Sequence, residues 1–355
     1  MTPLRPTLRT VSLLIRPLPR RSHSTASTSS VSASEVSHFS SLASSWWDPM
    51  GPSRVLHLMN PLRHDFIASC LADGPPITPA TDGQAIPANP TNTLHYLDVG
   101  CGGGIFAESL ARTIPLPESE TPTTQTVTRA ASITAIDPTA TLIEIARDHA
   151  RKDPKVSAHL NAGRFRYVNC TLEDVVAQKG GTPPAPQKTG SGSSDDAGTV
   201  VQVRRPDGFD VITLFEVIEH IETNAFISPL SFLTDCLRLL KPGGWLVGST
   251  IARTLPSFLV NQVIAEAPWP IGVVPKGTHE WRKFVNPDEL ESWASEGLMR
   301  AVDLERNSVM VSGSEALQGM QWKCAGVVYF PGLGWKFVSG SENWGNYFWA
   351  IRKGL

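Results

Sequence analysis

From residue 94 onward the chain alternates short apolar runs with stretches of helical spacing. Leu94–Val99 is an apolar run that ends at glycines, the mark of a buried strand, and Ile105–Arg112 places its apolar residues at helical intervals. Ser132–Ile136 reads as a second strand and Ala140–Ala150 as a second helix. Phe165–Val168, Phe209–Phe215 and Trp245–Thr250 read as further strands, with the helical stretch Phe226–Leu240 ahead of the last. Such alternation predicts a parallel sheet with helices on both faces. Pro287–Glu296 opens with a proline and acids, as a helix start does, and strand-like runs follow near Val327–Phe330 and Tyr347–Ile351. The fold class is therefore α/β, a doubly wound, Rossmann-like sheet, with a lid inserted near 252–285.

Three stretches break the pattern. Residues 73–93 are crowded with Pro, Asn and Thr, residues 115–132 are polar and Thr-rich, and residues 178–208 run through QKGGTPPAPQKTGSGSSDDAG. None has hydrophobic periodicity, so each is expected to be a surface loop or an uncompacted insertion.

Composition narrows the class. With 355 residues, 41% of them hydrophobic, the chain can bury a large core, which excludes wholesale disorder. No run approaches the roughly 18 apolar residues of a membrane span. Lys and Arg total 31 against 33 acids, without the basic excess of a nucleic-acid protein. The charge is unevenly spread: residues 1–34 hold Arg5, Arg9, Arg16, Arg20 and Arg21 and no acid, and are rich in Ser and Thr. With Leu8, Val11, Leu14 and Ile15 interleaved, this reads as a mitochondrial transit peptide over 1–34, ahead of a domain over 35–355. A secretory signal fits less well, because Val11–Ile15 is short and Pro17 and Pro19 follow it; a basic tail is the alternative. Without those five arginines, 26 basic residues face the 33 acids, a formal −7. Cys70, Cys101, Cys170, Cys236 and Cys324 are scattered without a CxxC pair, which suits a reducing compartment and predicts neither a zinc site nor a disulfide framework.

The chemistry gathers at predicted strand ends. LDVGCGGG, Leu97–Gly104, places glycines at 100, 102 and 104, where the backbone can turn tightly and approach a ligand. The dinucleotide fingerprint needs Gly or Ala at 105, and Ile105 stands there instead. The G-x-G-x-G spacing after Asp98 looks like the turn of Rossmann-like S-adenosylmethionine methyltransferases; an ordinary tight turn is the bland alternative. Asp137 ends the second strand in ITAIDP, where a carboxylate can accept both ribose hydroxyls of a nucleoside. Glu173 or Asp174, in CTLEDV, is a candidate for the adenine amino group or simply an acidic helix start. In FEVIEHI, Glu216, Glu219 and His220 stand at i, i+3 and i+4, on one face if the segment is helical. Two carboxylates and an imidazole suit Mg²⁺ or Mn²⁺, or else a structural role.

The order MNPLRHDFI, LDVGCGGG, IDP, FEVIEHI, LKPGG, VPKGTHEWRKFVNPDELE and NYFWAIRK resembles the mitochondrial ubiquinone biosynthesis O-methyltransferase family over roughly residues 36–353, apart from the three insertions. VPKGTHEWRKFVNP is its most specific piece, since general methyltransferases lack it. The resemblance implies an S-adenosylmethionine-dependent O-methyltransferase acting on a polyprenylated dihydroxybenzoate or quinol. It implies Arg63, Gly100, Gly102, Asp137 and Phe215 as cofactor-contacting positions, with Arg63 able to pair the methionine carboxylate. It implies Glu216, Glu219 and His220 as Mg²⁺ ligands, with His220 the candidate base if no metal is bound. Implied too are peripheral association with the matrix face of the mitochondrial inner membrane, partners among other ubiquinone-biosynthesis proteins, and no nucleic acid. Seven of the ten tryptophans (Trp269, Trp281, Trp293, Trp322, Trp335, Trp344, Trp349) fall on the expected lid and substrate side, and the apolar Leu255–Val274 is a candidate cover for the tail or membrane contact. The alternatives are a methyltransferase for another small molecule, on carbon or oxygen, and a non-catalytic scaffold subunit.

Overall fold

The computed structural model describes residues 29–73, 93–116, 126–178, 202–224, 227–259, 280–305, 317–330 and 332–354. Two helices, α1 (Ala33–Leu42) and α2 (Arg54–Asp73), precede the sheet. Strands β1 (Leu94–Val99), β2 (Ala130–Asp137), β3 (Phe165–Asn169), β4 (Phe209–Phe215) and β5 (Leu240–Ile251) then alternate with helices. These are α3 (Ile105–Ala111), α4 (Ala140–Ala150), α5 (Pro154–Asn161), α6 (Leu172–Ala177) and α7 (Pro229–Leu239). After β5 come the single turn α8 (Leu255–Ser257), the long α9 (Pro287–Glu305), and β6 (Gln321–Phe330), β7 (Gly334–Phe337) and β8 (Asn346–Arg352).

The strand order is β3-β2-β1-β4-β5-β8-β6-β7. The first five strands pair in parallel, but β8 pairs antiparallel with β5 and with β6, and β7 antiparallel with β6. The alternating part of the chain thus forms the expected parallel sheet, and the last part, which departs from that alternation, adds an antiparallel edge. β6 and β7 follow one another too closely for a crossover, so they pair antiparallel. Alternation along the strands divides the core. Leu97 and Val99 of β1 face one hydrophobic cluster with α6, α7 and α9, while Leu94 and Tyr96 face the other with α2, α3, α4 and α5.

Element boundaries follow local chemistry. The helix predicted from Phe226 begins instead at Pro229, because Ser228 caps it in a reciprocal box with Ser231 and Pro229 occupies the first turn. The helix predicted over Pro287–Glu296 continues to Glu305. Parts of the predicted insertions belong to the domain: β2 starts at Ala130, and Val203 is buried in the core. Their centres, 74–92, 117–125 and 179–201, lie outside the described residues, as do 260–279 of the predicted lid, Trp269 among them. The leader expected over 1–34 overlaps folded structure at its end, since Ser30 is buried, its N–H donates to Glu173 Oε1, and Ser32 caps α1. All five cysteines are free. Among the described residues no helix is long and apolar enough to cross a membrane.

Candidate active site

The carboxyl ends of β1, β2 and β4 open into one cavity of about 600 Å³, covered by α1 and the first half of α2. Because β2 and β4 flank β1 on opposite sides, the cleft sits where strand order reverses, the usual ligand position in open α/β sheets. Arg63, Gly100, Gly102, Asp137, Phe215, Glu216, Glu219 and His220 all line it. The fold thus brings these eight residues onto one cavity.

At the cofactor end, Gly100 and Gly102 adopt left-handed φ angles of 70° and 53°. Asp137 receives the Gly102 N–H at 2.9 Å on one oxygen and the Thr139 N–H at 2.8 Å on the other. Burial raises its proton affinity, and the two backbone donors act against that. The Thr139 hydroxyl bonds the same carboxylate, and Asp137 still faces the cavity as an acceptor for a ribose hydroxyl. Asp98 is buried too: Thr213 donates to one oxygen at 2.6 Å, the other has no partner, and burial pushes its pKa up to about 7. Arg63 lies beneath Phe215, with its guanidinium carbon 4.9 Å from the ring centroid. It donates to Asn60 Oδ1 at 3.1 Å, yet its buried Nε–H has no partner. An unpaired donor and an unpaired acceptor on one cavity fit the carboxylate and ammonium of an amino acid.

Trp46, which sequence reasoning passed over, lines the same cavity and lies across the glycine turn. A Cβ on Gly103 would stand 2.3 Å from Trp46 Cδ1, so the third glycine makes room for the indole. Trp47 donates to Gly103 O at 2.9 Å and stacks on His149 at 3.4 Å. The only sequence signal was the aromatic pair in SSWWDP, which carries no periodicity. Glu173 and Asp174 do not join the cleft: Glu173 accepts from Ser30, and Asp174 closes a capping box with Thr171.

The acidic end differs from the predicted helical face. Glu216 has a left-handed φ of 57°, and only Ile218–His220 form a 3-10 turn, so the three residues meet through a bend. Its positive φ keeps Glu216 out of a right-handed helix, and its N–H stays paired to Ser249 O of β5. Ser249 Oγ donates to Glu216 at 2.6 Å and Thr250 Oγ1 to Glu219 at 2.9 Å. Burial, then the charge of Glu216, raises the pKa of Glu219. His220 Nδ1 lies 3.3 Å from Glu35 Oε2 of α1; burial lowers its pKa, and Glu35 and Glu219 more than offset this. Burial raises Glu35, but His220 and Lys283 outweigh it and hold its pKa at about 2. In this arrangement each donor is engaged by a protein partner, and among the described residues no cluster of three or more His, Cys, Asp or Glu has metal-holding geometry. The carboxylate pair suits a hard cation by charge; the expected three-ligand set is not assembled.

The tryptophans divide. Trp335 and Trp344 line the cavity, whereas Trp349 is core, stacks with Trp322, and has Trp293 packed against the same cluster. Val55, Leu56, Met59, Val327 and Tyr329 complete an apolar wall.

A family model described as a methyltransferase domain matches residues 66–297. The mitochondrial ubiquinone biosynthesis O-methyltransferase of Candida albicans is 30% identical, over 93% of this chain and 88% of that protein. Its counterpart in Schizosaccharomyces pombe is 34% identical over 75% of this chain and 72% of that protein. The ubiquinone biosynthesis O-methyltransferase of Dinoroseobacter shibae is 34% identical, over 79% and 87%. Among solved structures, an S-adenosylmethionine-dependent methyltransferase of Thermotoga maritima, a possible histamine N-methyltransferase, is similar at 13% identity and a TM-score of 0.44, covering 90% of this chain and 100% of that one.

Proposed function

The chain belongs to the ubiquinone biosynthesis O-methyltransferase family, and from that premise we propose how its cavity performs the reaction. It is an S-adenosylmethionine-dependent O-methyltransferase of ubiquinone biosynthesis. The acceptor is a phenolic hydroxyl on a polyprenylated dihydroxybenzoate or quinol. One observation carries the reading: a single cavity joins the Gly100–Gly102 turn and Asp137 at one end to Glu216, Glu219 and His220 at the other, with an apolar wall between.

Arg63 Nε binds the methionine carboxylate, the unpartnered Asp98 oxygen receives the ammonium, Asp137 accepts the ribose hydroxyls, and Phe215 packs beside them. Methyl transfer breaks the sulfur–methyl bond and forms the oxygen–methyl bond, while the phenolic proton leaves. Alignment of donor and acceptor supplies much of the rate, and positioning of this kind is worth about 7–11 kcal/mol at most. A phenol titrates near 10, by analogy with Tyr, so at neutral pH its proton needs an acceptor. His220 takes it when no metal is bound. A Mg²⁺ held by Glu216 and Glu219 would lower the phenol's pKa and orient the neighbouring hydroxyl. The support for Mg²⁺ is the two carboxylates at one cavity wall, where burial and the charge of Glu216 disfavour ionisation of Glu219 and a cation would relieve this.

The mitochondrial relatives and the arginine-rich, acid-free residues 1–34 support import, with a leader that ends ahead of Ser30 and Ser32, which are engaged by the domain. Peripheral attachment to the matrix face of the inner membrane is supported by exposed Leu255, Leu333 and Trp344, of which Trp344 also lines the cavity. Association with other proteins of the pathway belongs to the same reading. The central test is methyl transfer to a short-tailed dihydroxybenzoate, followed by product mass, with and without a chelator. Transfer to a carbon or to no phenol at all overturns the substrate assignment. Failure to bind S-adenosylmethionine points to a scaffold.

A further inference from the structure

Helix α1 begins with Ser32-x-x-Glu35, the sequence of a capping box, in which the glutamate ordinarily turns back to the N–H of the capping serine. Here only half the box forms: Ser32 Oγ accepts the Glu35 N–H at 3.1 Å. The Glu35 carboxylate reaches away from its own helix, one oxygen to His220 Nδ1 at 3.3 Å and the other to Lys283 Nζ at 3.2 Å. One turn further on, Phe39 meets the His220 ring edge-to-face, with centroids 5.0 Å apart. Residues i and i+4 of one helix face therefore hold this imidazole, one at its nitrogen and one at its ring. Lys283 also pairs with Glu222 at 3.3 Å, just beyond the 3-10 turn that carries His220. Glu35, Phe39, Glu219 and His220 all line the cavity.

We propose that Glu35 is a positioning residue for methyl transfer: with Phe39 it fixes the rotamer and tautomer of His220 so that Nε2 serves the substrate end of the cavity, and Lys283 keeps Glu35 in place. An imidazole whose Nδ1 is held by a carboxylate presents its other nitrogen in one orientation, whether that nitrogen takes a proton or binds an ion. The local alternative, a completed capping box, was available to Glu35 and is not used. The proposal rests on the functional reading above and extends it to a helix ahead of the sheet.

The test uses the full chain with Glu35→Ala, Glu35→Gln and Glu35→Asp. Expected for Glu35→Ala is a fall in kcat of tenfold or more, with the Kd for S-adenosylmethionine unchanged and the protein fully folded at the assay temperature, at a melting temperature lowered only by the lost ion pairs. Glu35→Asp should recover part of kcat, and Glu35→Gln, which keeps an acceptor without the charge, should fall between. Independently of turnover, the ring ¹⁵N resonances of His220, assigned with His220→Gln, should shift in Glu35→Ala while those of the other histidines stay. Unchanged kcat with an unchanged His220 signal overturns the proposal, and so does a loss of kcat that tracks melting temperature and cofactor affinity. If the wild type methylates no phenol, the functional reading fails, and the ring resonances still decide whether Glu35 holds His220.

Discussion

Ser249 holds Glu216 twice, through its carbonyl to the Glu216 N–H at 3.2 Å and through its hydroxyl to the carboxylate at 2.6 Å. The pairing keeps Glu216 in a left-handed conformation that costs a non-glycine residue about 1–3 kcal/mol. Ser249→Ala should leave the backbone bond and remove the carboxylate's donor. Stability should fall by about 1–3 kcal/mol, and turnover should fall with it as Glu216 loses its orientation. Urea melts and steady-state rates check this; a variant with wild-type turnover would show that the carboxylate's direction is immaterial.

Asp137 is the best test of the cofactor end. Asp137→Ala should weaken S-adenosylmethionine binding by about 1.5–3 kcal/mol, the worth of hydrogen bonds to a charged acceptor, or about tenfold to 150-fold in Kd. Asp137→Asn, which keeps one acceptor, should lose less. Titration calorimetry measures both, and equal affinity for all three proteins removes Asp137 from the site.

The metal prediction concerns Glu219. If Glu216 and Glu219 bind Mg²⁺, Glu219→Gln should need more Mg²⁺ for half-maximal activity and recover partly at high concentration, because hard cations depend on charged oxygen ligands. Cofactor affinity should change little. Chelator-treated wild type that retains full activity would end the metal reading and leave His220 as the base.

Gly103 makes room for Trp46 rather than for a turn. Gly103→Ala would press a methyl against Cδ1, 2.3 Å from the ideal Cβ position. A loss of about 1–3 kcal/mol is expected, as for other overpacked sites, together with weaker cofactor binding as the indole is displaced. Trp46→Ala by itself should cost about 3–5 kcal/mol, because the indole is buried, but in that background Gly103→Ala should cost little more. An undiminished cost of Gly103→Ala in the Trp46→Ala chain would mean the clash lies elsewhere.

His64 makes a pH-dependent contribution. Burial lowers its pKa to about 4, with its ring nitrogen 2.9 Å from Ser109 Oγ. The unfolded chain therefore binds this proton more readily than the folded one, so stability is full above pH 6.5 and is lost as pH falls toward 4. The advantage of wild type over His64→Asn should shrink between pH 7 and pH 5. Parallel stability curves for the two proteins across that range would show that His64 titrates normally.

Periodicity and strand-end chemistry by themselves determined the first five strands, Asp137 at the end of β2, and the glycine turn after β1. Those features are local: a buried strand needs a continuous apolar run, and a tight turn needs glycine, wherever the rest of the chain goes. The family resemblance added Arg63, whose helix had no signal of its own. Only the tertiary structure decided how Glu216, Glu219 and His220 meet. Helical spacing put them on one face, but Glu216, paired to β5, holds a left-handed φ that no right-handed helix contains, so the three residues sit around a bend instead. Tertiary structure also placed Glu35 against His220 and Trp46 across Gly103, contacts that span 185 and 57 positions of the chain. Contacts at such separations leave no period in the sequence, because what creates them is the packing of α1 and the tryptophan turn over the open ends of the strands.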